Sequence, residues 1–367
     1  MAKRFFSVPS NDNFQASAEF LEHKQAWIIW PERTDNWRMG AKPIQKLIVS
    51  IANTLIKYEN ITVIVSKHQF QNARSQLNEK IKVVEITTND SLLRDFGPLF
   101  LVNPETKEIR GLKASFNAWG GSTYGLYYPW HDDDMLSYKL FELENINYYE
   151  LPIILEWGMI LLDGNGTCFA SEEGILSEIR NPNLTKEQAE DYLKQYLNVV
   201  QVIWLPFGLP FDLTKGRLNN LLTLVDETTI LLSWTDNSYD DRYQVVLETE
   251  KILKKALNAY GQRYKILKVL LPKIANRTEK ETEMIDYNVN HSPNSFDQVL
   301  TGSYTNLYLT NKAVLVPTFN DKESEEQALN VLSKVFPDRR IILINTRELI
   351  LGHANLHSII CHQNKYT

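Results

Sequence analysis

The sequence predicts a mixed α/β chain of about five helix-and-strand modules closed into a ring around one central site. Three observations predict it. First, a helix followed by an apolar strand recurs, and the end of each strand delivers polar residues: Asp90 with Asp95, Glu156, Asp212 through Asn219, Lys273, and Glu348 through His357. The period, ~70 residues, is longer than that of most solenoids. Second, hairpin-type strand pairs are frequent, which argues against a doubly wound parallel sheet. Third, 43% of the 367 residues are apolar, enough for one large core or two ordinary ones. The chain is read as one domain over residues 1–367, with residues 1–15 a loosely held lead.

Taken in order, AWIIWP (26–31) is the first strand, and Pro43 opens a helix to about Tyr58. ITVIVS is a strand, a short helix covers 69–79, and the strand IKVVEI empties into the polar stretch 89–98. PLFLVN and GLKASFNAWGG are paired strands ending in a glycine-aromatic loop through Tyr128. Asp132, Asp133 and Asp134 open a helix to about Asn145, where carboxylates complement the dipole, so they read as a cap rather than a metal site.

The stretch the chain is organised around is LPIILEWGMILLDGNGTCFA (151–170). Two apolar runs flank the turn Asp163-Gly164-Asn165-Gly166, a tight hairpin signal. Glu156 lies within the first run, and a buried carboxylate needs a cation or several donors. It reads either as half of a structural ion pair or as a site acid, with Gly158 allowing close approach to the backbone.

Thr185 and Gln188 form a capping box for the helix Lys186–Leu197. VVQVIWLP then runs into 207–220, LLTLV and TILLSW are strands, 243–260 is a long helix, and YKILKVLLP is a strand. Residues 276–295 are a polar excursion. YTNLYL and AVLVPTF pair, a helix covers 324–336, RRIILIN is a strand, and the tail from Thr346 sets two polar clusters around a final strand.

Net charge is −6 with no long basic stripe, which excludes nucleic acid as a partner. No apolar run reaches the ~18 residues of a bilayer span, and MAKRFFSVPSND lacks the apolar core of a signal peptide, so the expected location is the cytoplasm. Cys168 and Cys361 stand far apart in no metal-binding spacing, and Cys168 reads as a core thiol. His23, His131 and His291 read as surface or loop histidines. His353, His357 and His362 crowd one stretch, but their spacing on a strand does not put all three on one face, and no metal is expected. Trp119 and its glycines read as a pocket wall or a packed turn.

The segments NDSLLRDFGPLFLVN, FNAWGG, LEWGMILLDGNGT, RNPNLTKEQ, VIWLPFGLPFDLTKG, GSYTNLYLTNKAVLVP and ILGHANLHSI follow one another over roughly three hundred residues. In these the chain resembles the agmatine deiminase family and its bacterial peptidylarginine deiminase relatives, nearly end to end. The resemblance implies a five-bladed α/β propeller, the pentein fold of guanidine-modifying enzymes, in agreement with the modules above. It also implies hydrolysis of a guanidinium to a ureido group and ammonia, with no metal or cofactor. Such chemistry uses a thiolate on the guanidinium carbon, a histidine to move protons, and carboxylates that grip the cationic fork.

Residue by residue, Asp95 matches the family's first acid, with Arg94, Gly97 and Pro98 around it and Leu92 in place of an aromatic. Glu156 matches the second acid, followed by Trp157 where the family has glycine. In the histidine-bearing turn, Lys215 replaces an aspartate, Arg217 the histidine and Asn219 a second aspartate. Near the end His353 and Ala354 replace glycines, Asn355 and His357 match, and Ser358 stands at the cysteine. Asp95, Glu156, Arg217, Asn219 and Ser358 thus hold the catalytic positions, with Leu92, Arg94, Trp119, Trp157, Lys215, His353, Asn355 and His357 as candidate binding residues.

Read this way, the resemblance implies that deimination is lost. Arg217 cannot act as a base at neutral pH, and the replacements add roughly three to four positive charges at a turn meant to face a cation. The expected role is binding, either of a small-molecule ligand or of a protein partner such as an active family member. The alternative is an active hydrolase on agmatine or peptidyl-arginine. Arg217 is expected inside the pocket, its guanidinium on Asp95, Glu156 or both, in the place of a substrate's.

Overall fold

Five small sheets form the blades of a five-bladed α/β propeller, seen in a computed structural model that describes residues 1–288 and 294–366. Each blade repeats one pattern: a short first strand antiparallel to a second, a helix, and a third strand parallel to the second. Leu99–Val102, Ile109–Ser115 and Tyr148–Ile154 make one blade, with Leu136–Glu144 as its helix. Ile160–Leu162, Thr167–Ser171 and Gln201–Leu205 make the next, with Lys186–Leu197. Leu222–Leu224, Thr229–Trp234 and Lys265–Leu270 follow with Tyr243–Lys255. Tyr308–Leu309, Ala313–Thr318 and Arg340–Asn345 take Lys322–Val335. The fifth blade joins distant parts of the chain: Ile360–Asn364 lies antiparallel to His23–Ile29, which runs parallel to Asn60–Val65, with Lys42–Leu55 as the helix.

Local chemistry explains the pattern. Second strands such as Thr229–Trp234 and Thr167–Ser171 are buried along their whole length, so their apolar residues Ile230 to Leu232 and Cys168 to Ala170 run together without alternation. The helices are amphipathic: Lys42–Leu55 starts with proline in its first turn and turns Ile44, Ile48, Ile51 and Leu55 to the core. Thr185 and Gln188 form the capping box at the start of Lys186–Leu197. Among the described residues no helix is long and apolar enough to cross a membrane.

The polar deliveries sit just before each first strand, at 92–97, 155–158, 217–220, 303–306 and 355–358. The fourth differs from the sequence reading, since Lys273 is exposed while Ser303, Thr305 and Asn306 are buried. Three further expectations are corrected. Glu156 is not within a strand: Tyr148–Ile154 belongs to one blade and Ile160–Leu162 to the next, and Glu156 immediately precedes the single turn Trp157–Met159 between them. His357 and Ser358 also lie in a tight turn, His357–Ile359, rather than on a strand. The lead is fastened, because Phe5 N–H donates to the Tyr148 carbonyl at 2.8 Å and Tyr148 N–H to the Lys3 carbonyl at 2.9 Å. The Arg110 guanidinium covers Phe5 and Phe14 at 3.8 and 4.1 Å from the ring centres.

Candidate active site

Asp95 reaches the centre from the single helical turn Leu93–Phe96. It is 1% exposed, and its Oδ2 accepts from Arg217 Nη2 at 2.6 Å and from Trp119 Nε1 at 3.1 Å. A Cβ on Gly158 would stand 2.8 Å from Asp95 Oδ1 and 3.2 Å from Arg217 Cγ, so glycine is what leaves room for the pair. Arg217 is itself buried, donates from Nη1 to the His353 carbonyl at 3.2 Å and lies 3.9 Å from Asp212 Oδ2. Burial works against its charge, but Asp95 and Asp212 outweigh that and hold its pKa above the ordinary value.

Glu156 is not held by Arg217. Both of its oxygens lie 3.0 Å from Arg180 Nε, and Arg180 also donates to the Thr214 carbonyl. Burial pushes the Glu156 carboxyl up, and Arg180 offsets this only in part. Trp157 is buried beside it, its Nε1 donating to the Gly97 carbonyl at 2.7 Å. Leu92 is plain core. Arg94 pairs at 3.6 Å with Glu19 and meets His362 Nδ1 at 3.4 Å.

The third group surrounds His357, which is 3% exposed. Its Nε2 is 2.6 Å from Glu19 Oε2, its Nδ1 is 2.7 Å from Asn219 Nδ2, and its backbone N–H donates to Asn306 Oδ1 at 2.9 Å. Ser358 follows in the same turn, fully buried, with Oγ 3.4 Å from the Asn355 N–H. Asn355 Oδ1 caps the Leu356 N–H at 2.9 Å. Cys361 is no substitute nucleophile. Burial pushes its thiol up to about 12, and it donates to the Pro98 carbonyl at 3.3 Å.

The structure therefore brings together Asp95, Trp119 and Arg217, places Glu156 with Arg180, and joins Asn219 to His357. It leaves Lys215 exposed, and His353 is half-buried, contributing its carbonyl while Nε2 meets Asn294 at 2.8 Å. Sequence reasoning missed Glu19, Arg180 and Asn306. For Arg180 the signal was the demand of a buried Glu156 for a cation; for Glu19 and Asn306 there was none. His23 is no surface residue: it is 2% exposed, bonded to Glu59 at 3.0 Å and stacked on His362 at 4.4 Å. His131 is exposed, and His291 lies outside the described residues. Among the described residues no group of three or more His, Cys, Asp or Glu side chains is placed to hold a metal ion.

The electrostatic expectation also changes. Against Arg217, Arg180 and Arg94 stand Asp95, Asp212, Glu156 and Glu19, all beside their partners. The centre is not a positive patch hostile to cations, because Lys215 faces outward and Arg217 is neutralised where it sits.

Residues 15–363 match the family described as Porphyromonas-type peptidyl-arginine deiminase. The agmatine deiminases of Medicago truncatula and Ectopseudomonas mendocina are each 38% identical to this chain over 97% of it, and over 98% and 97% of their own lengths. The solved structure of the agmatine deiminase of Enterococcus faecalis superposes with a TM-score of 0.95 at 36% identity, covering 99% of this chain and 100% of that one. These relatives overturn the expectation of lost activity. That expectation weighed single replacements against motifs, whereas the pocket keeps both acids buried and its charge balanced.

Proposed function

Because the chain belongs to the Porphyromonas-type peptidyl-arginine deiminase family, we propose that it hydrolyses a guanidinium C–N bond of a small molecule, agmatine, to a ureido product and ammonia. One observation carries this reading: Asp95, 1% exposed at the centre of the propeller, grips a guanidinium fork at 2.6 Å. A carboxylate that holds one planar cation there offers the same grip to another. Arg217 occupies the place in this conformation and must withdraw for a substrate to enter. Oδ1 of Asp95, which has no hydrogen-bond partner among the described residues, faces Gly158 beside it.

In this reading Asp95 and Glu156 orient the cation, and the Ser358 hydroxyl attacks the guanidinium carbon. The C–N bond to the departing nitrogen breaks as ammonia leaves, and water then displaces the serine oxygen to give the ureido product. The test is ammonia release by the purified protein with agmatine, free arginine and an arginine peptide. Agmatine should be turned over well above the buffer control. Asp95→Asn, with its fold checked by circular dichroism, should lose on the order of 100–1000-fold of that rate, as when an aimed electrostatic group is removed. Absence of ammonia from all three compounds overturns the proposal.

A further inference from the structure

The hydrogen bonds around His357 can be read from one unambiguous donor. The His357 backbone N–H donates to Asn306 Oδ1, so the Nδ2 end of that amide is the donor. It points at Asn219 Oδ1 and Asn220 Oδ1, 3.2 and 2.8 Å away. Asn219 must therefore turn its own Nδ2 to His357 Nδ1, which accepts. The imidazole is then the neutral form with its proton on Nε2, and that proton goes to Glu19 Oε2 at 2.6 Å. A ring lone pair held ready on one nitrogen, with a carboxylate behind the other, is the arrangement of a histidine that moves protons.

We infer that His357 is the proton carrier of the guanidine hydrolysis and that Glu19 is the residue that positions it; this rests on the function proposed above. In this conformation Asn219 Nδ2 holds that lone pair, and it must turn aside for the Ser358 hydroxyl to reach Nδ1. As the Ser358 Oγ–C bond forms, the hydroxyl proton passes to His357 Nδ1, and Glu19 stabilises the imidazolium. The proton then goes to the departing nitrogen as the C–N bond breaks and ammonia leaves. In the second half a water gives its proton to Nδ1 while its oxygen bonds to carbon. The Ser358 Oγ–C bond breaks and the serine takes the proton back, so atoms and protons balance over the cycle.

Glu19 suits the positioning role because it joins two of the converging turns. Arg94, from the turn that carries Asp95, stands 3.6 Å away, and His357 comes from the turn that carries Ser358. The other titratable groups that face it are His362, Tyr308 and Cys361, with His23 bonded to its backbone carbonyl at 2.8 Å. Burial opposes the Glu19 charge, but His357 and Arg94 outweigh it and hold the carboxyl well below the usual carboxylate range. Its contribution is therefore present at and above ordinary carboxylate pKa values and is lost only as the pH falls below them. Glu19 therefore stays charged across the acid limb of the rate profile.

Two measurements test the inference. Ring-nitrogen NMR on protein carrying isotope-labelled histidine, with the His357 signals assigned by their loss in His357→Gln, should show the neutral Nε2–H form in the parent. Glu19→Gln should lower kcat for agmatine by about 10–100-fold, as for other partners that orient a reacting histidine, with KM within about twofold. It should also move the acid limb to lower pH, and Glu19→Asp should recover part of kcat. An Nδ1–H ring in the parent, or Glu19→Gln with the parent's kcat and pH profile, overturns the inference. A parent with no ammonia release fails the proposed function instead, and the ring spectrum tells that failure from an error in the wiring.

Discussion

Arg217→Ala should lower the stability of the protein by about 3–5 kcal/mol, because it strands Asp95 as an uncompensated charge in a buried place. For a chain of this length that is a drop of about 4–7 °C in the thermal midpoint. Among the described residues, Asp95 would keep only the Trp119 indole, at 3.1 Å, of its two side-chain hydrogen-bond partners. The vacated space has the shape and charge complement of a guanidinium, so agmatine should refill it. At a concentration about 100 times its dissociation constant, it would return about 2.7 kcal/mol. The parent should gain less from agmatine, since the tethered Arg217 competes at high local concentration. A variant that melts with the parent and shows no agmatine-dependent shift would show that Arg217 does not hold the guanidinium place in solution.

The second large effect is expected at Arg180. Its side chain is 0% exposed and that of Glu156 2% exposed, so Arg180→Met leaves a carboxylate in apolar surroundings and should cost about 3–5 kcal/mol near neutral pH. The deficit should depend on pH in a definite direction. The folded-state pKa of Glu156 is already raised by burial and would rise further without Arg180. A raised folded pKa means stability that is present below the unfolded value and lost as the pH climbs, so the deficit should be smaller near pH 5 than near pH 8. Adding Glu156→Gln should recover much of the loss, giving a coupling of about 2–3 kcal/mol in a double-mutant cycle. Chemical denaturation of the four proteins at both pH values measures it. An additive cycle with no pH dependence would mean that the ion pair is not what holds these two side chains.

The skeleton of the fold is legible in the sequence because its signals are local. The apolar face of Ile44, Ile48, Ile51 and Leu55, the capping box of Thr185 and Gln188, and the apolar run Ile230 to Leu232 within Thr229–Trp234 each fix an element within a few residues. The turns Trp157–Met159 and His357–Ile359 are not legible, since a single helical turn within an apolar run has the composition of a strand. Partners distant in sequence are harder still. Arg180 is 24 positions from Glu156, and Glu19 is 338 positions from His357. No periodicity records either pairing. The charge of the turn around Arg217 misleads for the same reason, since Asp95, which stands against Arg217, is 122 positions away.

The seam of the fifth blade also sets a timetable. His23–Ile29 leaves the ribosome more than three hundred residues before its antiparallel neighbour Ile360–Asn364. At about 5–20 residues per second, synthesis from one to the other takes roughly 20–70 s. For that interval Ala26, Trp27 and Ile28 border an open edge able to pair with a strand of another nascent chain. The turn that carries His357 and Ser358 directly precedes the closing strand, so these two residues of the candidate site arrive together with the strand that covers the edge. The edge of the fifth blade is thus covered in the same late event that completes the candidate site.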